Sequence, residues 1–368
     1  MLNVGSGQTY AVPSAAAAVA KSGDVIKIAA GDYTGDVAAW NADNLTICGA
    51  GGRARIHSGG NSIQGKGIWV ISGANATVDN IEFHDAIIPY TAGNGSNNGA
   101  GIRVQNTTGS FTVINCGFYD GENGILGGQP GTTITIARSE FARNGYGDGY
   151  THNLYIGQVD SLTVTASFFH EAKVGHNLKS RAKFTSIEDS YFMDGSSGTA
   201  SYTLDFPNGG EVHLRGNLLQ KGPLASNGTL VSYGEEGLPW TVNTLQLVYN
   251  TLVDARTSGT FVKAAGGTQS MTLTANVFAQ TGGTSRLMGG PSAPSDVLQQ
   301  FNVDGQASDI PGAGSISTPN FWPDATLLAF MTLTSPQDPA YTQDAPHPTV
   351  LRPLAASPLI AGALQSAP

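Results

Sequence analysis

Four of the chain's 18 basic residues, Lys173, Lys179, Arg181 and Lys183, fall in eleven positions that contain no acidic residue. His152 and His170 precede this run, His176 lies inside it, and Asp205, Glu235 and Glu236 follow it. Tyr155, Tyr202, Tyr233 and Trp240 add flat faces for packing against a ligand ring. Clustered cations can neutralise a carboxylate. An amine crowded by other cations gives up its proton more readily and can act as a general base. Asp205 with Glu235 or Glu236 offers an alternative, since two carboxyl groups ~5–10 Å apart can flank a bond to be hydrolysed. The same three carboxylates could supply hard oxygen ligands to Ca²⁺. No Cys/His spacing suggests zinc.

Something must hold these residues together across a span from Asn153 to Trp240, and the composition indicates what. Gly reaches 49 of 368 residues and charged residues only 12%, about half the usual share. Gly, Ser, Thr and Asn disfavour helix and suit short strands joined by tight turns. Hydrophobic residues at 40% supply a core and exclude a disordered chain.

The phrases "NIEFHD", "NCGFYDG", "RSEFARNG", "ASFFHEAKVG", "DSYFMDG", "RGNLLQKG", "VYNTLVDA" and "TANVFAQTG" occupy equivalent places. Their large apolar residues, Phe83, Phe118, Phe141, Phe169, Phe192, Leu218, Leu252 and Phe278, are 35, 23, 28, 23, 26, 34 and 26 residues apart. A base period near 23–26 with occasional insertions is a solenoid. A second column, Leu154, Leu178, Leu204 and Leu230, runs beside it in "HNLYIG", "HNLKSR", "YTLDFP" and "GTLVSY". Each coil then holds two or three short strands, and equivalent strands stack in parallel at about 4.8 Å. The fold expected is an all-β, single-domain parallel β-helix. Residues 1–283 form the helix with its N-terminal cap, in which Ser14 N-caps a short helix through Ala20. Residues 284–368 form loops and a C-terminal cap. Cys48 and Cys116 read as buried free thiols.

Side chains alternate across a strand, so the inward Leu column sends the odd-numbered residues outward. That stacks Tyr155, Lys179, Asp205 and Val231 in one outer ladder and Gly157, Arg181, Pro207 and Tyr233 in the next. Asn153 and Asn177 share the outward parity. Asn217, Asn250 and Asn276 recur just after strand ends and read as turn-bonding residues.

The spacing, the capping segment and the motifs "DGYTHNLYIG", "GHNLKSRA" and "LDFPNGG" resemble the right-handed parallel β-helix proteins of the pectate-lyase type, over roughly residues 8–283. That group includes lyases, epimerases, hydrolases and phage tailspikes, so the fold alone does not select a reaction. The resemblance implies a secreted or periplasmic carbohydrate-active enzyme that cleaves a uronate polysaccharide by β-elimination. It assigns Lys179 as the base and Arg181 as the carboxylate clamp. Tyr155, Tyr233, His152 or His176 would return a proton to the leaving oxygen. Asn153, Asn177, Asp205, Glu235, Glu236, Tyr202, Trp240 and Lys173 would line the substrate cleft. Segments 85–101 and 144–152 would form one wall. No cofactor is required, although Ca²⁺ would fit a lyase. A hydrolase, a C5-epimerase and a non-catalytic glycan-binding solenoid are the alternatives. The net charge of −9 and pI near 5.1 argue against a nucleic-acid partner. No apolar run is long enough to cross a membrane, and the sequence is silent on oligomeric state.

Overall fold

The computed structural model describes residues 1–88, 98–291, 297–331, 349 and 360–365. Its strands pair in parallel into two sheets, one of 21 strands and one of 10. Successive coils stack into a right-handed parallel β-helix. A middle coil gives one strand to the smaller sheet (Leu154–Ile156) and two to the larger (Ser161–Thr165 and Phe168–His170). Among the described residues, no helix is long and apolar enough to cross a membrane.

The bend between the two strands of the larger sheet has a local cause. One residue there takes a left-handed backbone in coil after coil: Arg138, Ala166, Asp189, Gly216, Tyr249 and Ala275. Most of these are not glycine, so the strain must be offset. The next residue does this by accepting the backbone N–H of its counterpart one coil earlier. Ser139, Ser167 and Ser190 accept through Oγ at 3.1–3.2 Å. Asn217, Asn250, Asn276 and Asn302 take over through Oδ1 at 2.9–3.0 Å. The recurring asparagines are therefore turn-bonding residues.

The interior is an apolar column. Phe83, Phe118, Phe141, Phe169 and Phe192 stack with ring centroids 4.6–5.2 Å apart. The column continues through Leu219, Leu252 and Phe278. Leu218, the residue expected there, faces the other way and packs under the C-terminal segment.

The N-terminal helix α1 (Pro13–Ala17) is shorter than expected. Pro13 opens it and Ser14 is its second residue rather than its cap. The Ser14 hydroxyl and amide both donate to Asp36 instead. At the other end, pairing does not stop at residue 283. Gly283–Gly289, Val297–Gln300 and Val303–Gln306 extend both sheets. Beyond them, helix α2 (Ala325–Met331) and residues 360–364 bury Ile310, Phe321, Leu327, Met331 and Leu364 against Phe168, Tyr191, Leu218, Val253 and Val277. This C-terminal part thus lies along the flank of several coils. Most of the remaining tail, and residues 89–97 within the expected 85–101 wall, lie outside the described residues. Cys116 is buried and Cys48 half-buried, and both are free thiols.

Candidate active site

Five strands of the smaller sheet build the site: β1 (Leu154–Ile156), β2 (Leu178–Ser180), β3 (Leu204–Phe206), β4 (Thr229–Tyr233) and β5 (Ser258–Ala264). Leu154, Leu178 and Leu204 stack inward as expected, which sends Tyr155, Lys179 and Asp205 outward in register. The register differs at β4. Val231 lies opposite Leu204, Ser232 opposite Asp205, and Tyr233 opposite Phe206. All of Leu230, Val231, Ser232 and Tyr233 are buried, and the pairing sets Val231 and Tyr233 in line with the inward Leu204 and Phe206. The outer ladder therefore reads Tyr155, Lys179, Asp205, Ser232 and Lys263.

Tyr233 consequently leaves the list of proton donors. It is fully buried and donates its hydroxyl to Gly210 O at 2.6 Å. Asn153 and Asn177 are also buried, not cleft-lining. They sit where the chain bends ahead of β1 and β2, so strand parity does not apply to them. Asn153 donates to Asn177 Oδ1 at 2.9 Å and accepts from Asn144, forming an internal amide ladder. Lys173 is out of reach as well, lying 3.7 Å from Asp120 beside Arg143.

The remaining groups converge. Arg181, just past β2, donates to Tyr155 Oη at 2.8 Å, Asn208 Oδ1 at 2.6 Å and Glu236 Oε2 at 2.6 Å. Lys179 Nζ is 3.0 Å from Glu236 Oε1 and 3.4 Å from Asp205 Oδ2. Both cations lie over the Tyr155 ring, 5.6 and 5.7 Å from its centroid. Lys179 is thus bracketed by two carboxylates, not crowded by cations alone.

The two carboxylates are driven apart. Burial pushes the Asp205 pKa up to about 6, with Lys179 only partly opposing it. Burial also works against the Glu236 carboxylate, but Arg181 and Lys179 outweigh it and hold the pKa below the usual value. Glu235 turns to Lys263 at 2.5 Å. Asp205, Glu235 and Glu236 therefore each face a cation and form no oxygen cage. Among the described residues no cluster of three or more His, Cys, Asp or Glu could hold a metal. No step of the chemistry proposed below runs through calcium.

His152, His176 and Tyr202 form one ring stack, with centroids 4.6 and 5.0 Å apart. Tyr202 therefore packs on His176 as part of the stack. The backbone N–H of His176 donates to His152 Nδ1 at 2.9 Å, and that of Tyr202 to His176 Nδ1 at 3.1 Å. Each Nδ1 must then be unprotonated, leaving the proton on Nε2. His176 Nε2 lies 3.4 Å from Asp205 Oδ2. Burial, with Lys179 and Arg181 adding to it, pushes the His152 pKa down to about 3. Burial, then His152 and Lys179, takes His176 well below its usual value. Both are neutral N–H donors, not bases.

His170 contrasts with them. Burial opposes its charge, but Glu140 at 3.2 Å and Glu171 at 2.9 Å outweigh burial and raise its pKa. It is a hydrogen-bonding residue outside the site. Its contribution to stability is fully present below the unfolded value near 6.5 and is lost as pH rises through the raised folded value. Nitrogen NMR of the imidazoles should show His152 and His176 neutral with the proton on Nε2 throughout the neutral range. His170 should remain doubly protonated above about pH 6.5. A protonated His152 at neutral pH would contradict this assignment.

Trp240 is half-buried with its indole N–H enclosed and unpartnered. Loop 144–152 is described and leads into β1, with Tyr146 and Tyr150 exposed at its surface. Sequence reasoning missed Asn208 and Lys263. The alternation of inward Val262 and outward Lys263 in "TFVKAA" was the available signal for the latter.

No protein-family model and no curated protein sequence matches the chain. Among solved structures it is similar to the crystal structure of pectate lyase Pel9A. The identity is 13% and the TM-score 0.55, over 94% of this chain and 92% of that one. It is also similar to ORF18 of Geobacillus virus E2, at 13% identity and TM-score 0.49, over 78% and 55% of the two chains. The PL6 family alginate lyase AlyGC matches at 15% identity and TM-score 0.37, over 77% and 51%. The first of these likenesses shows the fold, a parallel β-helix of the pectate-lyase type.

Proposed function

We propose that the protein is a polysaccharide lyase that cleaves a uronate-containing chain by β-elimination in the groove over β1–β5. The observation that supports this most is that Lys179 and Arg181, backed by Tyr155, already hold a carboxylate, that of Glu236, at 3.0 and 2.6 Å. A uronate carboxylate in the place of Glu236 is neutralised by Arg181, which Asn208 holds in position as an acceptor, and this acidifies the adjacent C5–H. After releasing its own proton to solvent, Lys179 takes the C5 proton. The electron pair left behind forms the C4=C5 double bond, and the C4–O4 bond breaks with its pair on oxygen. Tyr155 protonates that oxygen. Its own oxygen accepts from Arg181, so its O–H is free to donate and the phenolate left behind faces a guanidinium. Asp205 then faces the newly formed ammonium of Lys179. The structure of like fold, Pel9A, is a pectate lyase. A substrate of this class would place the enzyme outside the cytoplasm.

One observation favours a second reading, a glycoside hydrolase. Asp205, with its pKa raised to about 6, and Glu236, with its pKa lowered, have the acid and base pattern of paired catalytic carboxylates. Products from a panel of uronate polymers separate the two. Unsaturated chain ends support the lyase, and saturated reducing ends support the hydrolase. Within the lyase reading, Tyr155→Phe should lower kcat by about 10²-fold or more with KM little changed. Unchanged kcat would move the acid role to a histidine Nε2–H.

A further inference from the structure

The outer ladder contains a second cation position that the proposed chemistry does not use. Lys263 continues the outer ladder three strand steps beyond Lys179, about 14 Å at the usual strand spacing. Its ammonium holds Glu235 at 2.5 Å, while the next residue, Glu236, bridges Lys179 and Arg181. One loop thus delivers two adjacent carboxylates to two separate cation positions on the same ladder.

That loop is anchored independently of its carboxylates. Gly234 N–H donates to Phe206 O at 2.8 Å, and Glu236 N–H donates to Pro207 O at 2.9 Å. Leu238 packs against the core. Rotation of the two side chains alone would therefore clear both cations without moving the backbone. Neither carboxylate is deeply buried, at 28% exposed for Glu235 and 49% for Glu236. Exchange with another carboxylate replaces one ion pair by another of the same kind.

We infer that Lys263 is a second carboxylate subsite, and that Glu235 and Glu236 fill both subsites in the free protein as stand-ins for the carboxylates of an acidic chain. This rests on the proposed uronate substrate but not on the elimination chemistry. A ligand must span both positions to gain from Lys263, so the groove selects oligomers over single uronates.

Calorimetric titration with galacturonate and mannuronate oligomers of graded length tests this. Glu235→Gln/Glu236→Gln should bind long oligomers about tenfold more tightly than the wild type, because the internal competitors are gone. Lys263→Ala should weaken long oligomers about tenfold and leave dimers unchanged, and Lys263→Arg should restore the difference. Both results in a protein that cleaves nothing would uphold the subsites and overturn the lyase reading. Unchanged or weaker binding by the double Gln variant, in a wild type that does cleave, would overturn the subsites and leave the lyase standing. A Lys263→Ala effect independent of oligomer length would also overturn them.

Discussion

Replacing Lys179 by alanine is expected to lower kcat on the cleaved uronate polymer by about 10³-fold or more, the scale of a lost general base. The affinity for the same polymer should change far less, because Arg181 keeps its bonds to Tyr155 and Asn208. The fold should survive, since Lys179 lies on the outer face with Leu178 holding the inward position. The substitution does leave Asp205 and Glu236 without their shared cation. Part of any loss could therefore be electrostatic, and Lys179→Arg separates the causes. It restores the charge but supplies no free amine. An arginine variant as inactive as the alanine one assigns Lys179 to proton abstraction. Recovery in the arginine variant would reduce Lys179 to a binding cation and favour the hydrolase.

The largest stability effect is expected at Phe169. Its ring is fully buried between Phe141 and Phe192, at 4.6 and 4.8 Å. Phe169→Ala removes the ring from the middle of a stack whose neighbours are fixed by their own strands, so the cavity cannot fully close. The cost should be about 3–5 kcal/mol, read from the urea midpoint. Each coil of a solenoid rests on its neighbours, so the loss should spread to the adjoining coils. Phe169's own coil carries Tyr155 and the next one Lys179, and cleavage should fail at a lower temperature than in the wild type. A loss below about 1 kcal/mol would mean that the column repacks and that the aromatic stack is not what fixes the coils.

The sequence made the fold legible because a solenoid repeats its constraints. The same apolar position recurs in every coil, and one register fixes the next. Outward placement of Tyr155, Lys179 and Asp205 followed from that alone. It failed first at β4, where "TLVSY" offers apolar residues on both parities and only packing decides between them. It failed again at Asn153 and Asn177, which precede their strands, so the period-two rule did not reach them. The imidazole protonation was not legible either. It depends on the backbone amides of His176 and Tyr202, each one coil away from the ring it caps. Nor could sequence separate the partners of Glu235 and Glu236, because loop conformation sends adjacent side chains to different strands.

The fate of the C5 hydrogen tests the central claim most directly. A uronate oligomer carrying deuterium at C5 would be compared with its unlabelled form under saturating conditions, with the product ends identified by mass and ultraviolet absorbance. Elimination through Lys179 breaks that bond, so the deuterated chain should be cut several-fold more slowly and yield unsaturated ends that have lost the label. Equal rates, with saturated ends that retain deuterium, would contradict β-elimination and transfer the chemistry to Asp205 and Glu236.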